Sequence, residues 1–95
     1  MIIQIVKFKT ALSEEELLKV AGERMPRFKA LPGLLQKYYV KLDEPGHYGG
    51  IYVWDSPASL KSYRESDLTA TISQAYQVIG MPEVELMDVL FPLRT

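Results

Sequence analysis

The sequence predicts one α+β domain with the order β-α-β-β-α-β, in which an antiparallel four-stranded sheet carries both helices on one face. Three observations carry this. Runs rich in β-branched and aromatic residues lie at 2–9, 34–42, 47–54 and 83–91. Two helix-start signals, Ser13 with Glu16 and Ser56 with Pro57, each follow such a run. The segment Asp43-Glu44-Pro45-Gly46 joins the two middle runs as a tight turn, since proline presets φ and glycine allows positive φ.

Each element follows from its residues. Ile2 to Lys9 is apolar and β-branched, hence a strand. Ser13 caps the first helix, Glu16 completes a capping box, and Glu14 and Glu15 suit the positive end of the helix dipole. Leu17, Leu18, Val20, Ala21, Met25 and Phe28 recur at helical spacing as its inner face. Pro26 lacks an N–H, so a kink or break is expected near Gly22 to Met25, with a short second piece over Arg27 to Leu31. Pro32-Gly33 stops the helix. Leu34 to Leu42 and His47 to Trp54 form the hairpin. Ser56-Pro57 starts a helix to about Glu65, with Ala58, Leu60 and Tyr63 inward. Ser66-Asp67 interrupts it, and Asp67 or Thr69 caps a further helix through Val78. Gly80-Met81-Pro82 ends that helix, and Glu83 to Phe91 is the last strand.

A chain of 95 residues with 47% hydrophobic composition is one small domain with a modest core. A net charge of −1 and the lack of any basic run argue against nucleic acid or an anionic membrane as partner. The absence of cysteine excludes disulfides and thiolate chemistry. The first residues are too short and too soon charged for a signal peptide, and no apolar run approaches the ~20 residues of a membrane span. The expected location is the cytoplasm.

The strands alternate in an unusual way. Ile2, Val6 and Phe8 point to one side of the first strand, and Ile3 and Ile5 to the other. In the last strand Val84, Leu86 and Leu90 oppose Met87, Val89 and Phe91. Both faces of the sheet are apolar, yet two helices cover only one. The expected cover of the second is the same face of another copy, giving a two-fold homodimer. Asp88 interrupts the last strand, and a pairing with Lys7 or Lys9, or across the dimer, is expected.

The element order resembles the ferredoxin-like fold. Pro32-Gly33-Leu34-Leu35, Lys37, Gly49-Gly50-Ile51-Tyr52 and Ser56-Pro57-Ala58 with Tyr63 resemble the dimeric α/β-barrel superfamily, and within it the YdhR-type mono-oxygenase branch, close to the antibiotic-biosynthesis mono-oxygenases. The resemblance implies a homodimer and a small-molecule site between the sheet and the helices of one subunit. It implies a cofactor-free mono-oxygenase acting on a small aromatic or polyketide-like compound. The substrate itself would supply electrons to oxygen, and neither cofactor nor metal is expected. A non-catalytic dimer that binds a small hydrophobic ligand or is stress-related, or an isomerase of the same fold, are the alternative functions, because fold alone does not choose a reaction.

Tyr52 and Trp54 are two residues apart and share a sheet face, as do Lys37 and Tyr39 on the neighbouring strand. Lined by Tyr39, Tyr52, Trp54 and Tyr63, a pocket would suit a flat aromatic ligand, with Lys37 orienting its oxygens. Tyr52, Trp54, Lys37 and His47 are the candidate catalytic residues, and Tyr39 and Tyr63 the candidate substrate-binding ones. Each has a plainer reading. The aromatics are also ordinary core residues, Lys37 is also a guard against sheet-edge aggregation, and His47 at a hairpin end also faces solvent. Its titration near neutral pH keeps it a candidate acid or base. The guanidinium groups of Arg24 and Arg27 read as solvated surface charge.

Overall fold

The computed structural model describes residues 1–94. Strand β1 (Ile2–Thr10) leads to helix α1 (Glu14–Lys29), then β2 (Leu34–Lys41) and β3 (His47–Trp54). Helix α2 (Pro57–Arg64) and two single turns, α3 (Asp67–Ala70) and α4 (Ile72–Ala75), precede β4 (Val78–Asp88). The sheet is antiparallel throughout, in the order β2-β3-β1-β4. The ferredoxin-like α+β arrangement expected from the sequence is present.

Register fixes the faces. Ile2, Gln4, Val6 and Phe8 lie opposite Trp54, Tyr52, Gly50 and Tyr48, and all of these face the helices. Two core clusters form there. One gathers Ile2, Phe28, Tyr52, Trp54, Leu60, Tyr63 and Leu68. The other gathers Leu17, Ala21, Tyr48 and Tyr76. Gln4 and Thr10 are the buried polar residues of β1 in this layer, and Gln4 Oε1 accepts the indole N–H of Trp54 at 3.1 Å. The opposite face carries Ile3, Ile5, Ile51 and Val53, with no helix over them.

The Ser13 capping box forms as read, with both reciprocal bonds made. The break expected in the first helix does not occur, because α1 runs unbroken through Pro26. Gly22 and Pro26 are both exposed, so the one carbonyl left without a donor is open to water. Among the inner-face residues, Leu18 and Met25 turn outward and Arg24 takes their place between Ala21 and Phe28. Gly33 holds φ +81° where the chain turns into β2, and a Cβ there would collide with Ser59 and Asp55. Its carbonyl accepts the Asp55 N–H at 2.9 Å, tying this turn to the start of α2.

The last third differs most from the sequence reading. No further helix runs through Val78. Two turns replace it, and Gln77 reverses the chain at φ 48°. Gly80-Met81-Pro82 lies inside β4, not ahead of it. Lys7 pairs with Glu83 but Lys9 pairs with Ile79, so residues 80–82 bulge out of the ladder. In a bulge the proline's missing donor breaks no ladder bond. The strand ends at Asp88 because β1 offers no partner past Met1, whose carbonyl accepts the Val89 N–H at 3.0 Å. Asp88 lies opposite Ile2, far along the strand from Lys7, so the expected pairing with Lys7 or Lys9 is not made. Among the described residues no helix is long and apolar enough to cross a membrane.

Candidate active site

A cavity of about 200 Å³ lies between the helix-facing side of the sheet and α1. Its floor is Val6 and Phe8 of β1, Tyr48, Gly50 and Tyr52 of β3, and Lys37 and Tyr39 of β2. Leu17 of α1, with Ile72 and Tyr76 after α2, covers it, and the outward-turned Leu18 reaches only its edge. Glu14 and Lys41 stand at its rim and form an exposed ion pair of 3.0 Å. Gly50 makes the floor possible, because a Cβ there would sit 3.0 Å from the Tyr52 ring and 3.5 Å from Lys37 Cε.

Lys37 is the one cation on the cavity floor among the described residues. Its Nζ lies 3.4 Å from the ring centroid of Phe28, 4.4 Å from Tyr39 and 4.7 Å from Tyr52. Among the described residues no carboxylate pairs with it. Burial without an anion, reinforced by the positive charge of Arg24, lowers its pKa from 10.5 to about 7. That drop corresponds to about 5 kcal/mol. The three ring faces pull the other way and offset part of this, each by about 0.5–2 kcal/mol. Burial wins, and the group is divided between amine and ammonium at neutral pH.

The phenols around it stay protonated. Burial raises the pKa of Tyr52 above the ordinary tyrosine range and pushes Tyr76 up to about 12. Burial likewise raises Tyr39 and Tyr63. The cavity therefore offers phenolic O–H donors beside a lysine that is half neutral. These shifts set a measurable stability profile. Between pH 7 and 10.5 the unfolded chain holds a proton on Lys37 that the folded chain lacks. Folding must release it, so this group's destabilisation is full at pH 7 and below and is relieved toward pH 10, by up to about 1.4 kcal/mol per pH unit. Above pH 10 the unfolded tyrosines lose protons that the folded ones keep, and stability falls again. Urea titrations at pH 7, 8.5, 10 and 11 should show a maximum near pH 10. In Lys37→Met the rise from pH 7 should vanish. A wild-type curve that is flat or falls from pH 7 to 10 contradicts this account.

The structure brings Lys37, Tyr39 and Tyr52 together on the cavity wall. Tyr63 stands behind them and its hydroxyl donates to the Tyr52 hydroxyl at 3.5 Å. Trp54 does not reach the cavity. It is 0% exposed, stacked parallel to Tyr52 at 6.3 Å and packed 5.0 Å from Tyr63, because α2 closes over that end of β3. His47 lies on the other face of the sheet, opposite Lys9. Its Nδ1 is 3.1 Å from the Pro45 carbonyl and its Nε2 is 3.7 Å from Glu44.

Of three further contributors, the sequence reading gave Tyr48 and Tyr76 no site role and placed Arg24 on the solvated surface, where the structure does not put it. Tyr48 shares the parity of Tyr52, a signal that was there to be read. Arg24 lies three residues after Ala21 and four before Phe28, which is the spacing of the buried stripe. It donates to the Leu68 carbonyl at 2.8 Å and to Thr71 Oγ1 at 3.2 Å, so its charge is held inside the fold. Tyr76 enters from the irregular segment before β4, 5.5 Å from the Phe8 ring, and no local pattern marks it.

Comparison with solved structures agrees with the fold. The cofactor-independent oxygenase SnoaB from Streptomyces nogalater superposes with a TM-score of 0.78 at 16% identity, covering 99% of this chain and 97% of that one. A "putative antibiotic biosynthesis monooxygenase" from Deinococcus radiodurans gives 0.77 at 16% identity, covering 100% and 98%. A protein of unknown function from Nitrosomonas europaea gives 0.77 at 16% identity, covering 96% and 90%. At such identities the likeness is one of fold. Among curated proteins nothing matches the chain. The family model described as "Putative mono-oxygenase ydhR" matches residues 2–90, and the chain belongs to that family.

Proposed function

We propose that this protein is a cofactor-free mono-oxygenase, and that its cavity holds a small aromatic compound with an acidic C–H or O–H. The observation that supports it most is Lys37, a lysine near half-neutral at physiological pH on the wall of an aromatic cavity. A neutral amine removes a proton from an activated CH₂ of an anthrone-like ring system, and the ammonium formed stays beside the resulting anion. The Tyr39 and Tyr52 hydroxyls donate to its oxygens. The anion gives one electron to dioxygen, and the two radicals combine to a C–O bond. The peroxide then loses water to leave a carbonyl. The balance is R₂CH₂ + O₂ → R₂C=O + H₂O, with no outside reductant. Tyr63 and Trp54 back the Tyr52 ring, and His47 has no part in the step.

The test is oxygen consumption by purified protein over a panel of anthrones and hydroquinones, with quinone formation followed by absorbance. Uptake above the spontaneous rate, with one carbonyl formed per dioxygen on the anthrones, is the expected result. No uptake across the panel rejects the oxygenase and leaves ligand binding without turnover as the reading.

The assembly proposed is a homodimer through the open sheet face. Ile3, Ile5, Ile51 and Val53 form an apolar patch there, flanked by Lys7 and Lys9 on β1 and Glu83 and Glu85 on β4. Basic and acidic rims on one face suit a second copy turned by a two-fold axis. Light scattering should give twice the 10.8 kDa chain mass, and Ile5→Lys should shift it to a single chain. A wild-type monomer at micromolar concentration would rule the dimer out. The compartment proposed is the cytoplasm, since a chain without cysteine gains nothing from oxidising surroundings.

A further inference from the structure

Lys37 borders two hollows. One is the cavity described above. The other, about 410 Å³, is a mixed polar and apolar hollow lined by Met25, Phe28, Lys29, Leu34, Leu35 and Gln36 together with Tyr39. A lysine at the wall of an apolar cavity, ringed by aromatic faces and without a carboxylate, is placed as a nucleophile as well as a base. We propose that Lys37 captures small aromatic aldehydes or ketones as a covalent imine, an activity separate from oxygen chemistry though seated in the same cavity.

The chemistry balances without an oxidant. The Nζ lone pair attacks the carbonyl carbon, and the C=O pair moves to oxygen, which takes a proton. The carbinolamine nitrogen loses a proton, and the oxygen leaves as water. The net change is R₂C=O + H₂N–Lys37 → R₂C=N–Lys37 + H₂O. The Tyr52 phenol on the same wall is the donor for the departing oxygen, with Tyr63 hydrogen-bonded behind it. The cavity's ring-lined floor accepts one aromatic ring.

The chain has seven lysines, so six serve as internal controls. An exposed lysine with an ordinary pKa near 10.4 is neutral in less than about one molecule in a thousand at pH 7, whereas Lys37 is neutral in about half. The full-length protein is incubated with benzaldehyde and cyanoborohydride at pH 7, and the modified lysines are located by peptide mass spectrometry. The α-amino group of Met1 reacts at this pH too and is resolved on its own peptide. Lys37 should be benzylated at least about 100-fold faster than any other lysine, with a midpoint for the pH dependence near 7. An aromatic compound without a carbonyl, such as catechol, should protect it. Tyr52→Phe should slow labelling while leaving its site unchanged.

Labelling spread over the surface lysines with Lys37 unmodified overturns the proposal. So does labelling of Lys37 at no more than the surface rate. Both outcomes are read on the wild-type protein, so neither depends on a variant that folds. Oxygen uptake on anthrones is scored separately. Uptake without selective labelling rejects the imine alone, and selective labelling without uptake rejects the oxygenase alone.

Discussion

Lys37→Met is expected to lower kcat/KM for oxygen uptake by about 10²- to 10⁴-fold, the usual contribution of a positioned general base. The neutral amine is the active form, so wild-type kcat/KM should rise with pH through about 7 and then level off. The tyrosines stay protonated across that range and add no second limb below pH 10. Lys37→Arg separates two roles. It restores a permanent positive charge in the cavity but no base near neutral pH. If the group acts as a base, Lys37→Arg is as impaired as Lys37→Met. If it serves only as a counter-charge, Lys37→Arg regains most of the activity. A pH profile unchanged in Lys37→Met would mean that the inflection belongs to the substrate, and the base assignment would fall.

Trp54→Ala is expected to cost about 3–5 kcal/mol of stability, the range for removing a fully buried aromatic. A small domain has only about 5–15 kcal/mol in total, so this single change brings the fold close to the unfolding threshold. The indole fills the space between Ile2, Tyr52, Leu60 and Tyr63, and nothing nearby is free to collapse into the void. Trp54→Phe keeps most of the volume but strands the Gln4 carbonyl oxygen inside the core, for a loss of about 1–3 kcal/mol. Because the indole does not reach the cavity, Trp54→Phe should keep kcat and KM near wild type at a temperature where it is folded. Denaturant melts and oxygen uptake on the same preparation separate the two effects. A large fall in kcat with stability intact would place Trp54 in the chemistry.

The period of two along the strands made much of this site readable. It put Lys37 with Tyr39 and Tyr52 with Trp54 on shared faces, and the register confirms both pairs. Parity says which face a residue takes but not how deep it lies. Trp54 and Tyr52 are neighbours of one parity, yet α2 seals the first and leaves the second at a cavity wall. The same parity assigns His47 to the outer face, since Tyr48 beside it faces inward. Arg24 was hidden by its type, because a charged residue on a helix suggests solvent until its place in the 17, 21, 24, 28 series is counted. Pro82 read as a stop because proline is unfit for a paired strand. Only the partner strand reveals that residues 80–82 are not paired.

The bond between Gln4 and Trp54 has a consequence for how the chain finds its alignment. A slip of one residue between β1 and β3 would turn Ile3 and Ile5 inward, and the hydrophobic pattern alone resists it. A slip of two residues is harder to reject, because it keeps every apolar side chain on its own face. It would, however, move the single amide of the buried layer away from the single indole N–H, leaving two polar groups sealed without partners. About 1–3 kcal/mol per orphaned group is enough to disfavour that misaligned state. The polar pair thus acts as a key between two strands that greasy surfaces alone would let slide in steps of two, and it gives the domain one alignment in place of several.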